Sequence, residues 1–334
     1  MKLSARLPLL MLLLSLLTVI NPTAVGEPLV TAERLGDGPL IGPGMDARMG
    51  SNIQGPSLIR VPDWVENPLG KYYLYFADHR GTYIRMAHAD QLTGPWTVYS
   101  PGTLQLNASH FPVTCPPCSL APGASDELYA HIASPDVHVR EDLRQIVMYY
   151  HGRDVGRQLT RLAVSHDGIH FQGRQEVLGR PYFRVIQHES FYYALSKPGY
   201  LYRSRDGIGN FEAGPLLIHD DMRHSALLIR NDTLYVFWTR IGHAPERIYV
   251  STIPLTGDWQ TWQVTETEEL LRPEREWEGA GLPVVPSRGG HIEERVNQLR
   301  DPAVFEEDGE TYLLYAVAGE SGIAIARLQF GQAR

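Results

Sequence analysis

From about residue 52 onward, the apolar positions fall into short runs and not into the i, i+3, i+4 spacing of amphipathic helices. Runs such as "GPSLIRV", "KYYLYFA", "QIVMYY", "TLYVFW" and "TYLLYAVA" are rich in β-branched and aromatic residues, and Asp-, Gly- or Asn-containing turns separate them. The pattern recurs as a unit: an apolar strand, a turn, a Tyr-rich strand, then a third strand that often ends in a "DG" or "TG" turn before a fourth. Five copies align, at about 55–99, 134–173, 181–214, 223–264 and 300–328. The last lacks an outermost strand; a strand near the N-terminus could supply that edge, but its position cannot be read from the sequence.

Pro135 and Pro181 open consecutive copies 46 residues apart, about the length of one four-stranded propeller blade. The expected fold is therefore all-β, a five-bladed β-propeller of four-stranded antiparallel blades. Residues 27–334 would form one domain, with insertions at about 100–133 and 267–299; the second is charged and has room for a short helix. A sandwich of similar strands would not explain the repeat.

In such a blade the first strand starts on one face of the disc and the second returns to it, so these ends meet around one mouth. First strands start with Asn52 and Gln54, Asp136, Tyr182 and Arg184, Arg223 and His224, and Arg300 and Asp301. Second strands end at Asp78 and His79, His151, Lys197, Arg240, and Glu320. Each blade thus turns from apolar to ionisable at the same point, and charges crowded at an axis need partners or a polar ligand. For Asp136 the competing reading is a turn residue capping its own strand. Asp167 and Asp206, each before a glycine, are read as hairpin residues.

Composition narrows the setting. With 43% apolar and 20% charged residues, the chain is an ordinary globular protein and not a disordered one. Lys2 and Arg6 precede the apolar stretch "LPLLMLLLSLLTVI", and "TAVGEP" offers small residues before a cut at Glu27. Residues 1–26 read as a secretory signal peptide, with an uncleaved anchor as the alternative. Cleavage removes Lys2 and Arg6 and no acid, so the formal charge of −8 becomes −10. An acidic, exported protein (periplasmic or extracellular) with no basic run is not expected to bind nucleic acid, nor membrane after cleavage. It is expected to be a monomer. Cys115 and Cys118, in "TCPPCSL", lie in a Pro-rich stretch. A local disulfide suits an oxidising compartment; redox chemistry, free thiols or a metal role remain open. Asn107 and Asn231 head glycosylation sequons that matter only in a eukaryotic secretory route.

With "GPSLIRV…GKYYLYF", "SPDVHV", "RHSAL" and "RDPAVFEEDGETYLLYAVAGESGIAIARL" in place, the chain from about Asn52 to Leu328 resembles the five-bladed β-propeller glycoside hydrolases, the superfamily that includes families 43, 32 and 117. The resemblance implies an axial pocket and sugar-cleaving chemistry. Family 43-like enzymes use three carboxylates: a base Asp opening blade one, a second Asp in an "APD"-like motif opening blade two, and an acid Glu opening blade three. Asp136 matches the second. Gly55 stands where the first would be, and "PYFRV" offers Tyr182 and Arg184 in place of the third. His224 resembles a blade-four histidine that lies near a central cation or water in some relatives. No cofactor is required on this reading, and an axial calcium ion is conceivable.

The chemistry that could survive uses Asp136 or Asp301 as base or orienting carboxylate, and His224, Glu320 or Asp78 as acid. A histidine titrates in a useful range, and family 117-like relatives are thought to use one. Arg184, Arg223, Arg240, Arg300 and Lys197 would suit an anionic sugar, unless each neutralises a neighbouring acid, as in Arg300–Asp301. Asn52, Gln54, Asp78, His79, His151 and Tyr182 complete the expected substrate contacts. The first hypothesis is an exported glycoside hydrolase-like enzyme. A carbohydrate-binding propeller without catalysis is the alternative, and a polysaccharide lyase with Tyr182 or His224 as base is the third.

Overall fold

The structure, a computed structural model, describes residues 28–114 and 129–331. The signal peptide and both cysteines expected from the sequence lie outside the described residues. Five antiparallel sheets form the ring, one per predicted blade. Their innermost strands are Gln54–Arg60, Ile132–Arg140, Arg184–His188, Met222–Arg230 and Arg300–Glu307. Among the described residues the helical pieces are three short 3-10 turns: Leu106–Ala108, Trp259–Thr261 and Glu276–Glu278.

The fifth blade is completed from the other end of the chain. Val30–Arg34 pairs with Ile323–Phe330, in register from Val30 opposite Phe330 to Arg34 opposite Ala326. That edge could not be placed from sequence, because a five-residue strand has no repeat to announce it. Closure by the N-terminal strand leaves the ring held by hydrogen bonds between distant parts of the chain. Blade four also differs in detail from its sequence outline. Its outermost strand is Glu266–Leu271, whereas the "DWQTW" stretch forms a turn capped by Asp258, whose side chain accepts the Gln260 N–H. The alternating glutamates of that strand are exposed or half-buried, and Arg247 bonds Glu269 across the ladder at 2.9 Å. The long junction therefore starts after Leu271.

The core is five wedges and not one ball. One apolar cluster joins blades one and two through Tyr73, Tyr75, Met148 and Tyr150. Four more lie between the remaining neighbours, including Val147, Phe183 and Tyr202 between two and three, and Leu58, Phe76, Phe305 and Ile325 between five and one. Strands buried on both faces account for the unbroken apolar runs in the sequence.

One irregularity repeats around the axis and positions every polar group discussed below. In four innermost strands the register slips by one residue near the start. Gln54 faces Ala77 but Ser57 faces Tyr75, and Ala133 faces His151 but Asp136 faces Tyr149. The same slip occurs at Met222/Ser225 and at Arg300/Ala303. In blade three the Lys197 N–H bonds the Pro181 carbonyl at 3.0 Å ahead of the Arg184–Leu195 pair, which gives the same spacing. The bulged residue is left-handed at Gly55 (φ 64°), Ser134 (48°), Tyr182 (66°) and Asp301 (49°). Gly55 is also confined by space, since a Cβ there would sit 3.0 Å from the Ser134 Cα.

Candidate functional site at the propeller axis

The bulge divides the innermost strands into two levels. Gly55, Ser134, Tyr182, Arg223 and Asp301 hold the bulge position at the mouth. Ser57, Asp136, Arg184, Ser225 and Ala303 come two residues later, deeper along the axis. Residues that look equivalent in sequence thus belong to different ends of the molecule.

At the mouth the structure gathers Asn52, His79, His151, Tyr182, Arg223, His224, Arg300, Asp301 and Glu320. Glu320, just past the second strand of blade five, is gripped from three sides. Arg300 Nη1 lies at 2.7 Å, Arg223 Nη2 at 3.0 Å and His79 Nδ1 at 3.4 Å from Oε1. Asn52 Nδ2 donates to Oε2 at 2.8 Å. Burial alone would raise its pKa, but His79, Arg300 and Arg223 together hold it well below the usual carboxylate range. Glu320 is a fixed anion. Behind the two guanidiniums sits a second buried carboxylate, Glu246, 3.2 Å from Arg300 Nε and 3.8 Å from Arg223 Nε. Gln298 Oε1 accepts from Arg300 Nε at 2.9 Å. Arg300 therefore serves Glu320 and Glu246, and not its sequence neighbour Asp301.

Asp301 contacts His224 instead, Oδ1 against Nδ1, and both are buried, at 0% and 2% exposure. Burial lowers the His224 pKa well below its ordinary value, and Arg223, Lys197, His79 and Arg184 lower it further. Burial and the surrounding cations thus favour the neutral ring over the imidazolium. Its Nε2 is buried without a hydrogen-bond partner among the described residues. Tyr182 stacks between His224 and His151, with ring centroids 4.5 and 4.0 Å away. Its hydroxyl lies 3.5 Å from His79 Nε2, and Lys197 Nζ lies over the ring at 5.3 Å from the centroid. The left-handed bulge at Tyr182 is what turns this large ring into the axis.

Asp136 is not part of this cluster. Its Oδ2 accepts the Val185 N–H and His138 Nε2, both at 2.8 Å, and Arg184 Nη1 lies 3.5 Å from Oδ1. Ser57 does the same one blade earlier, accepting the Val137 N–H at 2.8 Å. Both side chains stitch an innermost strand to the next blade. Asp136 and Arg184 line a cavity of about 330 Å³ with Arg60, His138 and Glu306, and no mouth residue shares it. His138, Arg184 and the Val185 N–H outweigh burial and lower the Asp136 pKa. Of the other expected contacts, Asp78 pairs with Arg85 at 3.1 Å, Gln54 accepts from Ser134 at 3.4 Å, and Arg240 turns outward to Asp221 at 3.1 Å.

Residues 283–298 cross the mouth and, with Arg80, Tyr129 and Arg300, wall a cleft of about 940 Å³. Glu246 and Gln298 were missed in sequence. Glu246 precedes the third strand of blade four, and third strands also start at the mouth, so the rule applied to first and second strands would have found it if extended. Around His224 the carboxylates contact guanidiniums and imidazoles, so an axial calcium ion, which takes six to eight oxygens, would draw most of them from water.

No family model matches the chain. An uncharacterized protein, R118 of Acanthamoeba polyphaga mimivirus, is 38% identical over 311 residues, covering 83% of each chain. A glycosyl hydrolase from Bacteroides ovatus superposes with a TM-score of 0.60 at 12% identity, covering 90% of this chain and 94% of that one. A family 43 β-xylosidase/α-arabinofuranosidase from a compost metagenome, solved with xylotriose in a calcium-free form, gives 0.54 at 11% identity, covering 90% and 95%. The fold is that of the five-bladed family 43-like propellers.

Proposed function

The chain belongs to one family with the mimiviral protein R118, and we propose that it is a glycoside hydrolase-like protein acting on a poly- or oligosaccharide at the mouth of the axis. The observation that carries this reading is His224, an imidazole buried against Asp301 in the mouth cluster, whose Nε2 has no hydrogen-bond partner among the described residues. In hydrolysis His224 is the proton donor to the leaving oxygen. Its depressed pKa makes the protonated form a strong acid that becomes populated as pH falls. Asp301 orients the ring, and Glu320, held ionised, fixes Arg223 and Arg300 in place at the mouth. Asp136 supports the blades in this reading.

The mouth cations expected to greet an anionic sugar are committed to Glu320, Glu246 and Asp221. An acidic group on the sugar would meet the rim arginines Arg288 and Arg295. The N-terminal segment supports export, which N-terminal sequencing of the mature protein, expected to begin at Glu27, would test.

A second reading has its own support. An uncharged His224 stacked on the Tyr182 ring also suits proton abstraction, the base chemistry of a polysaccharide lyase. A glycan-library screen of the wild type and His224→Asn, across pH, separates the readings. Hydrolysis that rises toward acid pH and falls ~10²- to 10⁴-fold in the variant supports the hydrolase. An ultraviolet-absorbing unsaturated product supports elimination, and binding without turnover at any pH supports a carbohydrate-binding propeller.

A further inference from the structure

The groups that should meet a sugar at the mouth are occupied by the chain itself. Arg223 spreads its guanidinium over two backbone carbonyls, Nη1 to Arg288 and Nη2 to Gly290. Asn52 Nδ2 donates to the Ile292 carbonyl at 3.1 Å, and the Ile292 N–H donates to Glu320 Oε2 at 3.3 Å. Three acceptors and one donor, all backbone, therefore lie on Arg223, Asn52 and Glu320. The strap is pinned on both sides. The Gly242 N–H bonds the Ser287 carbonyl at 3.0 Å, Gln298 Nε2 bonds the Val285 carbonyl at 3.0 Å, and Arg80 pairs with Glu293 at 2.6 Å. The strap-bound Arg223 and Glu320 are each 1% exposed, and His224, next to Arg223 in the chain, is 2% exposed. A ligand cannot reach the strap-bound atoms of Arg223, Asn52 and Glu320 while the strap lies in place.

We propose that residues 288–292 are an intramolecular occupant of the mouth, standing where a sugar's hydroxyl groups bind, and that they lift to admit it. The reading rests on the proposed function for the identity of the ligand, but not for the movement. It also describes what displaces the strap. Arg223 is already balanced by Glu320 and Glu246, so the oxygens that replace two neutral carbonyls on its fork are best neutral too. Adjacent hydroxyls of a sugar ring present that pair. Glycine at 289 and at 290, the latter left-handed at φ 89°, gives the strap a backbone that can refold locally.

The test loosens the strap without touching the floor. Ile292→Pro removes the N–H given to Glu320, and Glu293→Ala removes the Arg80 bridge. Each full-length variant, checked for a native melting transition, is treated with diethyl pyrocarbonate, and modification of His224 is read by mass spectrometry. The proposal expects modification to be several-fold faster in both variants than in the wild type. Equal rates in all three would overturn it, because the strap would then be a fixed wall. The same proteins are assayed against the glycan library. Tighter binding or faster turnover in the loosened variants supports the occupant role. Faster His224 labelling with no sugar bound by any of the three leaves the movement standing and removes the carbohydrate reading instead.

Discussion

At the mouth, Glu320 is surrounded by Arg223, Arg300, His79 and Asn52, and in the neighbouring His224–Asp301 pair the imidazole Nε2 has no hydrogen-bond partner among the described residues. At the other end of the axis, Asp136 meets Arg184, His138 and a backbone N–H of the next blade. Both ends bury ionisable groups on the same bulged strands. They differ in what the partners belong to. Asp136 binds a neighbouring innermost strand, so its contacts are part of how the ring holds together. The mouth groups bind one another and a strap that is not part of any sheet. The mouth also joins blades four and five through His224 and Asp301, but its contacts with the strap can change without disturbing a blade.

The sharpest way to break this contrast is Asp136→Ala. It leaves Arg184 buried without its carboxylate, and we expect a loss of ~3–5 kcal/mol in urea unfolding. His224→Asn, which keeps a side-chain amide to face Asp301 and leaves every guanidinium pair in place, should cost less than Asp136→Ala. A near-neutral Asp136→Ala that abolished turnover would reverse the two assignments.

Acid titration separates the ends next. The His224 pKa is depressed from 6.5 in the folded chain. The unfolded chain therefore takes up a proton first as pH falls, and stability, complete above about 6.5, declines by ~1.4 kcal/mol per pH unit below it. The Asp136 and Glu320 carboxyls are also depressed, so their contributions persist until pH passes below their ordinary values of 3.8 and 4.5. Unfolding free energies between pH 7 and 5 should slope in the wild type and flatten in His224→Asn.

The smallest effect is expected at the rim. Arg288→Ala or Arg295→Ala should leave stability within ~0.5 kcal/mol. Each should weaken only anionic sugars, in a manner that salt masks. Equal weakening of neutral sugars would move these side chains from charge recognition to shape.

Much of this could be read from the chain. The five repeats gave the blades, and the switch from apolar to ionisable residues placed His79, His151, Tyr182, Arg223, His224, Arg300 and Glu320 at one mouth, where the structure has them. Asp136 was drawn into that set because only Pro135 separates it from the bulge residue Ser134. A one-residue slip in register reverses which end a side chain serves, and nothing in "SPD" against "RDP" reveals it. The Glu246 carboxylate escaped notice because it precedes a third strand, and the closing strand Val30–Arg34 because it stands alone.

Periodicity is local, so the sequence alone determined the strands, their grouping into blades and the face on which their polar ends collect. Pairing between distant segments is not local. Only the tertiary structure decided that Arg300 serves Glu320 and not Asp301, that His224 meets a carboxylate from the next blade, and that the chain's own backbone lies across the mouth. Those choices depend on side chains brought within a few ångströms by ring closure, and spacing along the chain carries no record of them.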